Sequence, residues 1–203
     1  AWDSSAGSAG IIVAVLDTGI RYEHPDLERA ASGGRLLPGY DFVSADSDGK
    51  FTSANDGDGR DADASDPGDW VTTTEAALPI FDDNCEAQDE SSWHGTRVAG
   101  LIGARANNSV GIAGLTWRPW ILPVRVLGKC GGYDSDILAG MRWAGGLGVT
   151  GVPANPNPAR ILNLSLGSED RCPASYQAVI DELVRSGVVI VASAGNESGP
   201  VAA

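Results

Sequence analysis

The stretch IIVAVLDTGI at residues 11–20 decides the fold prediction. Its first six residues are all apolar, and Asp17, Thr18 and Gly19 follow them directly. An uninterrupted apolar run of this length is typical of a strand buried on both faces of a parallel sheet. An acidic residue just after such a strand lies at the carboxyl edge of the sheet, where α/β proteins bind ligands. Asp17 is therefore the first candidate site residue, although a carboxylate there can also simply cap the next turn.

Three further apolar segments predict three more buried strands, at residues 121–127 (ILPVRVL), 161–166 (ILNLSL) and 188–193 (VVIVAS). Helical patterns lie between them. One begins at Asp134 or Ser135 as its N-cap, and its apolar face contains Ile137, Leu138, Met141 and Ala144. The next has Pro173 in its first turn and Gly187 as its stop, and its apolar face contains Tyr176, Val179, Ile180, Leu183 and Val184. This alternation predicts a three-layer α/β fold, a mostly parallel twisted sheet with helices on both faces.

Residues 32–92 interrupt that alternation with Gly, Asp, Ser, Asn and Pro. We call them the acidic excursion, because the part from Asp41 to Glu90 holds 15 of the 27 acidic residues against only Lys50 and Arg60. A loop-rich segment of this length is functional or ion-stabilised if it is ordered.

The composition limits what the chain can bind. Its 203 residues fit one domain, and a net charge of -13 argues against nucleic acid, which requires clustered Lys and Arg. No apolar run reaches the roughly 18–20 residues of a membrane helix. The sequence begins at Ala1 with neither a start Met nor a signal peptide. We expect a processed, soluble piece of a longer protein.

Two more residues carry side chains suited to catalysis. His94 opens a helical pattern with Val98, Leu101 and Ile102 on one face. The positive end of that helix disfavours an imidazolium while an ionised Asp17 would favour it, and such opposed influences suit a general base. Asn196 follows the last predicted strand, where its amide can donate to an oxyanion or occupy a left-handed turn.

Seven blocks then resemble secreted subtilisin-type serine proteases, in family order along nearly the whole chain. They are VAVLDTGI (13–20), HPDL (24–27), WHGTRVAG (93–100), NNSVGIAG (107–114), PVRVLG (123–128), LNLSLG (162–167) and ASAGN (192–196). The resemblance implies a subtilisin-like fold, polypeptide substrates, secretion to the extracellular space, and a propeptide in the precursor. Arg97 is a departure, because the family usually has a second His there.

The resemblance also implies roles. Asp17 orients His94, His94 moves the proton, and Asn196 holds the oxyanion; one such donor is worth about 10² to 10³ in rate, a magnitude measured on subtilisin itself. The walls of the S1 pocket are Ser165, Leu166, Gly167, Ala194 and Gly195. The segment 129–132, with Gly131 and Gly132, pairs with the substrate main chain. Tyr133 and Ile137 form a further subsite.

The sequence lacks the nucleophilic serine that the resemblance requires. The family carries its serine in a Gly-Thr-Ser-Met-Ala type segment downstream of the Asn, and this sequence stops at Ala203. Ser165 and Ser193 lie in the blocks of the pocket wall. We expect the serine, and the C-terminal part of the domain, to lie beyond this chain, which alone would be inactive.

Calcium is the implied cofactor. By resemblance, Asp26 and Asn108 give side-chain oxygens, and three backbone carbonyls complete the site, those of Ala106, Val110 and Ile112. A second candidate is the acidic run at Asp56, Asp58, Asp61, Asp63, Asp66 and Asp69. It is not an EF-hand, because Arg60 and Pro67 stand where ligands belong. A solvated acidic loop is the alternative.

Three cysteines leave one unpaired in any disulfide framework, and three reduced thiols are the alternative from counting alone. Since the resemblance implies secretion, we predict a disulfide between Cys85 and Cys130, and a partner for Cys172 beyond residue 203.

Two rival functions are considered. An aspartic protease shares the Asp-Thr-Gly signature but would need a second copy of it, and it would leave six blocks unexplained. The other rival is a catalytically inactive fragment or homologue that keeps the fold and the calcium sites.

Overall fold

The computed structural model describes residues 2–81, 85–168 and 172–196. Within these ranges the sheet has five strands: β1 (Ile12–Asp17), β2 (Tyr40–Asp41), β3 (Trp120–Arg125), β4 (Ile161–Leu164) and β5 (Val189–Ala192). The strand order is β2-β3-β1-β4-β5, and every pair is parallel. The predicted parallel sheet is confirmed, and its four predicted strands are β1, β3, β4 and β5.

Three of the four α-helices in the described ranges cover the two faces of this sheet, and the first, a single turn, lies in the acidic excursion. The four are α1 (Thr73–Ala76), α2 (His94–Gly103), α3 (Asp134–Ala144) and α4 (Ala174–Arg185). Ala14 and Leu16 of β1 point into the larger core with residues of α3 and α4, whereas Val15 points into a smaller core with Ala99 of α2. This alternation gives three layers, as predicted. No helix in the described ranges is long and apolar enough to cross a membrane.

The strand order places a topological switch point at β1. From β1 the chain runs to β2 and then through α2 on one face to β3, and from β4 it runs through α4 on the other face to β5. Neighbouring connections that leave for opposite faces open a crevice at the carboxyl ends of β1 and β4, which is where doubly wound proteins bind ligands.

Several local predictions were wrong. The N-cap of α3 is Tyr133, so neither Asp134 nor Ser135 caps that helix. Strand β5 is an edge strand of the described sheet rather than a buried one, with Val189 57% and Val191 49% exposed. Val184 of α4 is also exposed.

On helix α2 the predicted apolar face is correct for Val98 and Ile102, which are partly buried against the smaller core, and wrong for Leu101. The buried residues of α2 are Gly95, Thr96, Ala99, Gly100 and Gly103, while Leu101 is 65% exposed. Small side chains line this face because the helix lies very close to the sheet and to the turn after β1.

The acidic excursion is an ordered layer that contains β2 and α1. Four of its aspartates are buried, namely Asp41, Asp46, Asp66 and Asp69. Each accepts backbone N–H groups, for example from Val43 to Asp41 at 2.7 Å and from Ser92 to Asp69 at 2.6 Å. Buried carboxylates satisfied by backbone donors hold an irregular segment in place where no strand ladder is available.

Two side-chain links, besides the hydrogen bond from Lys129 N to Ser53 O at 2.8 Å, fasten the excursion to the segment 128–132 after β3. The predicted disulfide between Cys85 and Cys130 is present, with Cα atoms 5.4 Å apart. Next to it, the buried Lys129 donates from Nζ to Glu75 Oε1 at 2.6 Å and lies 5.1 Å from the ring centroid of Trp70. Cys172 is exposed and has no disulfide partner among the described residues.

The Lys129–Glu75 pair makes stability depend on acid. The hydrogen bond from Lys129 lowers the pKa of Glu75 from 4.5 to about 2. A carboxyl group whose folded pKa is depressed stabilises the fold above its unfolded pKa, and this contribution is lost as pH falls through the folded pKa.

We predict that Glu75→Gln lowers the free energy of unfolding by about 1–3 kcal/mol at pH 7, because buried Lys129 loses its counter-charge. Gln keeps the capping box with Thr72, so the change isolates the charge. Urea unfolding of the full-length protein should show the difference shrinking from pH 5 towards pH 2. Glu90→Gln, at an exposed position of the same excursion, is the control; equal losses in both variants would contradict the pairing.

Candidate active site

Asp17 and His94 meet at the carboxyl edge of β1. His94 Nδ1 lies 2.8 Å from Asp17 Oδ1 and 2.9 Å from Oδ2. The Asp17 side chain is 1% exposed and that of His94 is 44% exposed. A buried carboxylate therefore holds one ring nitrogen, while the partly exposed ring leaves Nε2 on the solvent side. This geometry is that of an orienting acid and a general base.

A close approach of two backbones brings these side chains together. A Cβ added at Gly95, the second residue of α2, would lie 2.2 Å from the Gly19 carbonyl oxygen and 3.1 Å from Asp17 Cβ. Gly19 itself has φ +102, and a Cβ there would meet Ala64 O at 2.9 Å. Both glycines of the two motifs are thus required by contact, and only glycine at 95 lets the start of α2 rest on the turn after β1.

Thr18 ties this contact to the acidic excursion. Its hydroxyl donates to Asp66 Oδ2 at 2.7 Å and accepts from the Gly95 N–H at 3.1 Å. Asp66 is buried and in turn accepts the Gly68 N–H at 2.9 Å. The chain Asp66–Thr18–Gly95 therefore fixes the first turn of α2 beside Asp17.

Burial is the largest influence on the pKa values of the two buried carboxyl groups at this site, Asp17 and Asp66. Desolvation raises the pKa of Asp17 above its ordinary 3.8, and the Thr18 N–H, which donates to Oδ1 at 2.8 Å, and His94 act in the opposite direction. Desolvation likewise raises the pKa of Asp66, against the hydrogen bond from Thr18. Both carboxylates depend on these few donors to stay ionised.

The predicted S1 walls follow two neighbouring strands. Ser165–Gly167 comes directly after β4, and Ala194 and Gly195 come after β5, whose Ala192 pairs with Leu164. The two segments contact each other, since Ser193 N donates to Leu164 O at 3.0 Å. Asn196 is exposed at the same edge. The topology thus brings these candidates to the carboxyl edge that carries Asp17.

The predicted substrate strand lies after β3. Gly128 N donates to Gly131 O at 2.8 Å, and Gly131, Gly132 and Tyr133 are exposed. Ile137 is 6% exposed and packs in the larger core. The structure therefore gives Ile137 a packing role rather than an exposed subsite wall.

The residues of the first predicted calcium site lie together. Asp26 is 2% exposed, and its carboxylate accepts Asn108 Nδ2 at 2.7 Å and the Ile112 N–H at 2.9 Å. A Cβ at Gly111 would lie 2.3 Å from Asp26 Oδ2, so the loop backbone wraps closely around this carboxylate. The carbonyls of Ala106, Val110 and Ile112 accept no hydrogen bond from the described part of the chain.

The second predicted calcium set is more dispersed. Asp56 forms an ion pair with the fully buried Arg125, which also pairs with Asp41. Asp61 accepts the Asp63 N–H, and Asp63 accepts from Ser65. Asp58 is exposed. Across the described residues no group of three or more His, Cys, Asp or Glu side chains could hold a metal. Calcium at this place stays a prediction.

Sequence reasoning missed the structural roles of Thr18 and Asp66 at this site, since it places Asp66 only in the acidic calcium run. Thr18 is in the Asp-Thr-Gly motif but carries no titratable group. Asp66 is one of many acidic residues in the excursion, 48 positions from Thr18, and nothing in its local sequence distinguishes it from its neighbours.

The chain is similar to a known protein family and to several known proteins. A family described as the Subtilase family matches residues 8–203. The chain is 44% identical over 197 residues to an extracellular basic protease of Dichelobacter nodosus, covering 97% of this chain and 30% of that protein. It is 44% identical over 201 residues to an extracellular protease of Xanthomonas campestris, covering 99% and 32%. A solved protease structure from Pseudoalteromonas arctica matches with a TM-score of 0.80 and 46% identity, over 96% of this chain and 52% of that one.

The fold is thus a doubly wound α/β fold, and an aspartate–histidine pair lies at the carboxyl edge of its sheet, where proteins of this class bind ligands. The chain belongs to the subtilase family, as its match over residues 8–203 shows. It spans about a third of the length of the curated relatives named above and about half of the solved structure.

The two hydrogen bonds of the Thr18 hydroxyl can be tested by mutation. We predict that Thr18→Val lowers the free energy of unfolding by about 2–4 kcal/mol, because buried Asp66 loses a donor and the Gly95 N–H loses its acceptor. Thr18→Ser, which keeps the hydroxyl, should cost about 1 kcal/mol for the lost methyl group. Urea unfolding of the full-length protein measures both, and similar losses for Val and Ser would show that the hydroxyl does not tie the site together.

Proposed function

We propose that this chain supplies the acid–base part of the catalytic domain of a secreted serine endopeptidase. The observation that carries the proposal is the Asp17–His94 pair, with a buried carboxylate 2.8 Å and 2.9 Å from Nδ1 of a half-exposed imidazole. The family membership and the relatives named as extracellular proteases support it. The disulfide between Cys85 and Cys130 agrees with an extracellular location.

In the proposed reaction His94 Nε2 takes the proton of a serine hydroxyl while that oxygen attacks the carbonyl carbon of the substrate. The C–N bond then breaks, the nitrogen leaves with the proton from His94, and an acyl-enzyme remains, which water hydrolyses by the same proton route. Asp17 stabilises the transient imidazolium and fixes its orientation. Asn196 donates its amide to the oxyanion.

The attacking serine is proposed to lie in the segment that follows this chain. Ser92 is close to His94 in sequence, but its hydroxyl donates to Asp69 at 2.6 Å and accepts the His94 N–H at 3.2 Å. Ser165 Oγ accepts from Asn163, and Ser193 Oγ donates to Leu166 O. These serines are used structurally, which supports an external nucleophile and an inactive isolated chain.

The other predicted partners belong to the same proposal. A downstream segment would pack on the exposed side chains of β5 and complete the site. A propeptide would precede the mature domain. The inactive calcium-binding module is the rival, and it gives no reason for a buried carboxylate aimed at Nδ1 of a partly exposed histidine.

Labelling with a fluorophosphonate tests this function. We predict that the full-length protein is labelled on one serine outside residues 1–203, and that His94→Ala reduces labelling at least a hundredfold because the serine loses its base. Peptide mapping by mass spectrometry locates the label, and heat-denatured protein is the control. An unlabelled, folded full-length protein, or a label on a serine of this chain, would overturn the proposal.

We also propose that Ca²⁺ binds between Asp26 and the 106–112 loop. The residues present fit Ca²⁺ because they supply hard oxygen ligands. These ligands are a buried carboxylate, an Asn side chain and three carbonyls that accept no hydrogen bond from described residues. The Asn108 amide would turn its oxygen to the ion. The ion would then stiffen the loop that follows α2.

Calcium dependence can be measured by unfolding. We predict that Ca²⁺ at 100 times its dissociation constant stabilises the inhibited full-length protein by about 2.7 kcal/mol relative to EGTA. Asp26→Asn should remove most of this difference, whatever it does to stability in EGTA, and Asp3→Asn at an exposed position should preserve it. An unchanged calcium effect in Asp26→Asn would place the ion elsewhere.

A further inference from the structure

A depression in the surface lies along the first turn of α2, lined by the neighbours of His94 in that turn, Trp93, Thr96 and Arg97, and not by His94 itself. We call it the Arg97 depression, and its rim includes Arg21, Glu23, His24, Trp93 and Arg97. Two guanidinium groups and one imidazole thus face a single carboxylate. This local excess of positive charge runs against a chain whose net charge is -13. Its position next to the proposed general base makes the excess relevant to substrate binding.

The two arginines differ in whether their charge is paired within the protein. Arg21 forms an ion pair with Glu23, and its guanidinium lies 4.4 Å from the centroid of the Trp93 ring. Arg97 is exposed, and its side chain forms no hydrogen bond or ion pair with any described residue. The charge of Arg21 is therefore compensated within the protein, whereas that of Arg97 remains available to a ligand.

His24 adds a second donor to the same rim. Its Nδ1 accepts the N–H of Asp26 at 3.2 Å, which assigns the ring proton of the neutral form to Nε2. His24 is exposed, so this N–H can donate to a ligand. A planar guanidinium and an imidazole N–H together match a carboxylate, and Trp93 offers an apolar wall for the methylenes next to it.

We propose that the Arg97 depression is a subsite for an acidic side chain of the substrate, Asp or Glu, within three residues of the scissile bond. This inference rests on the proposed function, since it concerns the peptide that His94 acts on. The carboxylate pairs with Arg97 and accepts from His24 Nε2. Arg97 is then a specificity-determining residue, and its position one helical turn from His94 limits the acidic residue to the neighbourhood of the cleaved bond.

Cleavage of matched peptides by the full-length protein tests the subsite. Each peptide carries Asp, Glu, Asn or Gln at one of the three positions on either side of the bond. We expect kcat/KM to be about three- to tenfold higher for the acid than for its amide at one position, the size typical of a charged hydrogen bond partly open to water. Arg97→Gln should make kcat/KM equal for the acid and its amide, and Arg97→Lys should retain part of the preference for the acid. Arg97→Glu should reverse the preference in favour of the amide.

The control is Arg118→Gln, which removes the same charge at an exposed position before β3, at the opposite edge of the sheet. It should leave the acid-to-amide ratio intact. The subsite is wrong if the acid-to-amide ratio of kcat/KM is one at all six positions, or if a raised ratio persists in Arg97→Gln. In either case, fluorophosphonate labelling of the same preparation would still support the proposed protease. Absence of both labelling and cleavage rejects the proposed function itself, and the subsite with it.

Discussion

The structure depends on one contact, the first turn of α2 resting on the turn that follows β1. A side chain at residue 95 would overlap the Gly19 carbonyl at 2.2 Å, so the approach exists only because that position is glycine. The same contact sets the distance between Asp17 and His94, which are 77 positions apart in the chain. A shift of α2 of even one ångström would separate them. The geometry of the acid–base pair is therefore a consequence of backbone packing, with the side chains following.

The structural role of the acidic excursion follows from this contact. Through Asp66 and Thr18 it reaches the beginning of α2, and through Glu75 and Cys85 it reaches the segment after β3. It thus links both sides of the cleft with short polar contacts and a disulfide. Its negative charge is partly structural, because its four buried aspartates satisfy backbone and hydroxyl donors that an irregular chain cannot pair by itself. This use of carboxylates removes the need to assign every one of them to a cation.

How far the sequence predicts such a structure depends on the range of the interaction. Apolar runs identify the four longer strands, because burial on both faces leaves a local signature. The two-residue strand β2 leaves none, since its pairing is provided by β3. The exposure of β5 likewise depends on its neighbours rather than on its own apolar residues. At the site, Asp17 and His94 are recognisable from their motifs, whereas Asp66 becomes a site residue only through a fold that brings it to Thr18.

The two halves of the proposed machinery are supported differently. Asp17, Thr18 and His94 are held by β1, α2 and the excursion, with the carboxylate 1% exposed and each contact internal to the described residues. Asn196 and the residues of the S1 wall extend from β4 and β5, and β5 presents half-exposed valines at the edge of the described sheet. The Asp17–His94 pair is thus preorganised by contacts between described residues, whereas the proposed oxyanion donor Asn196 follows a strand that lies at the exposed edge of the described sheet.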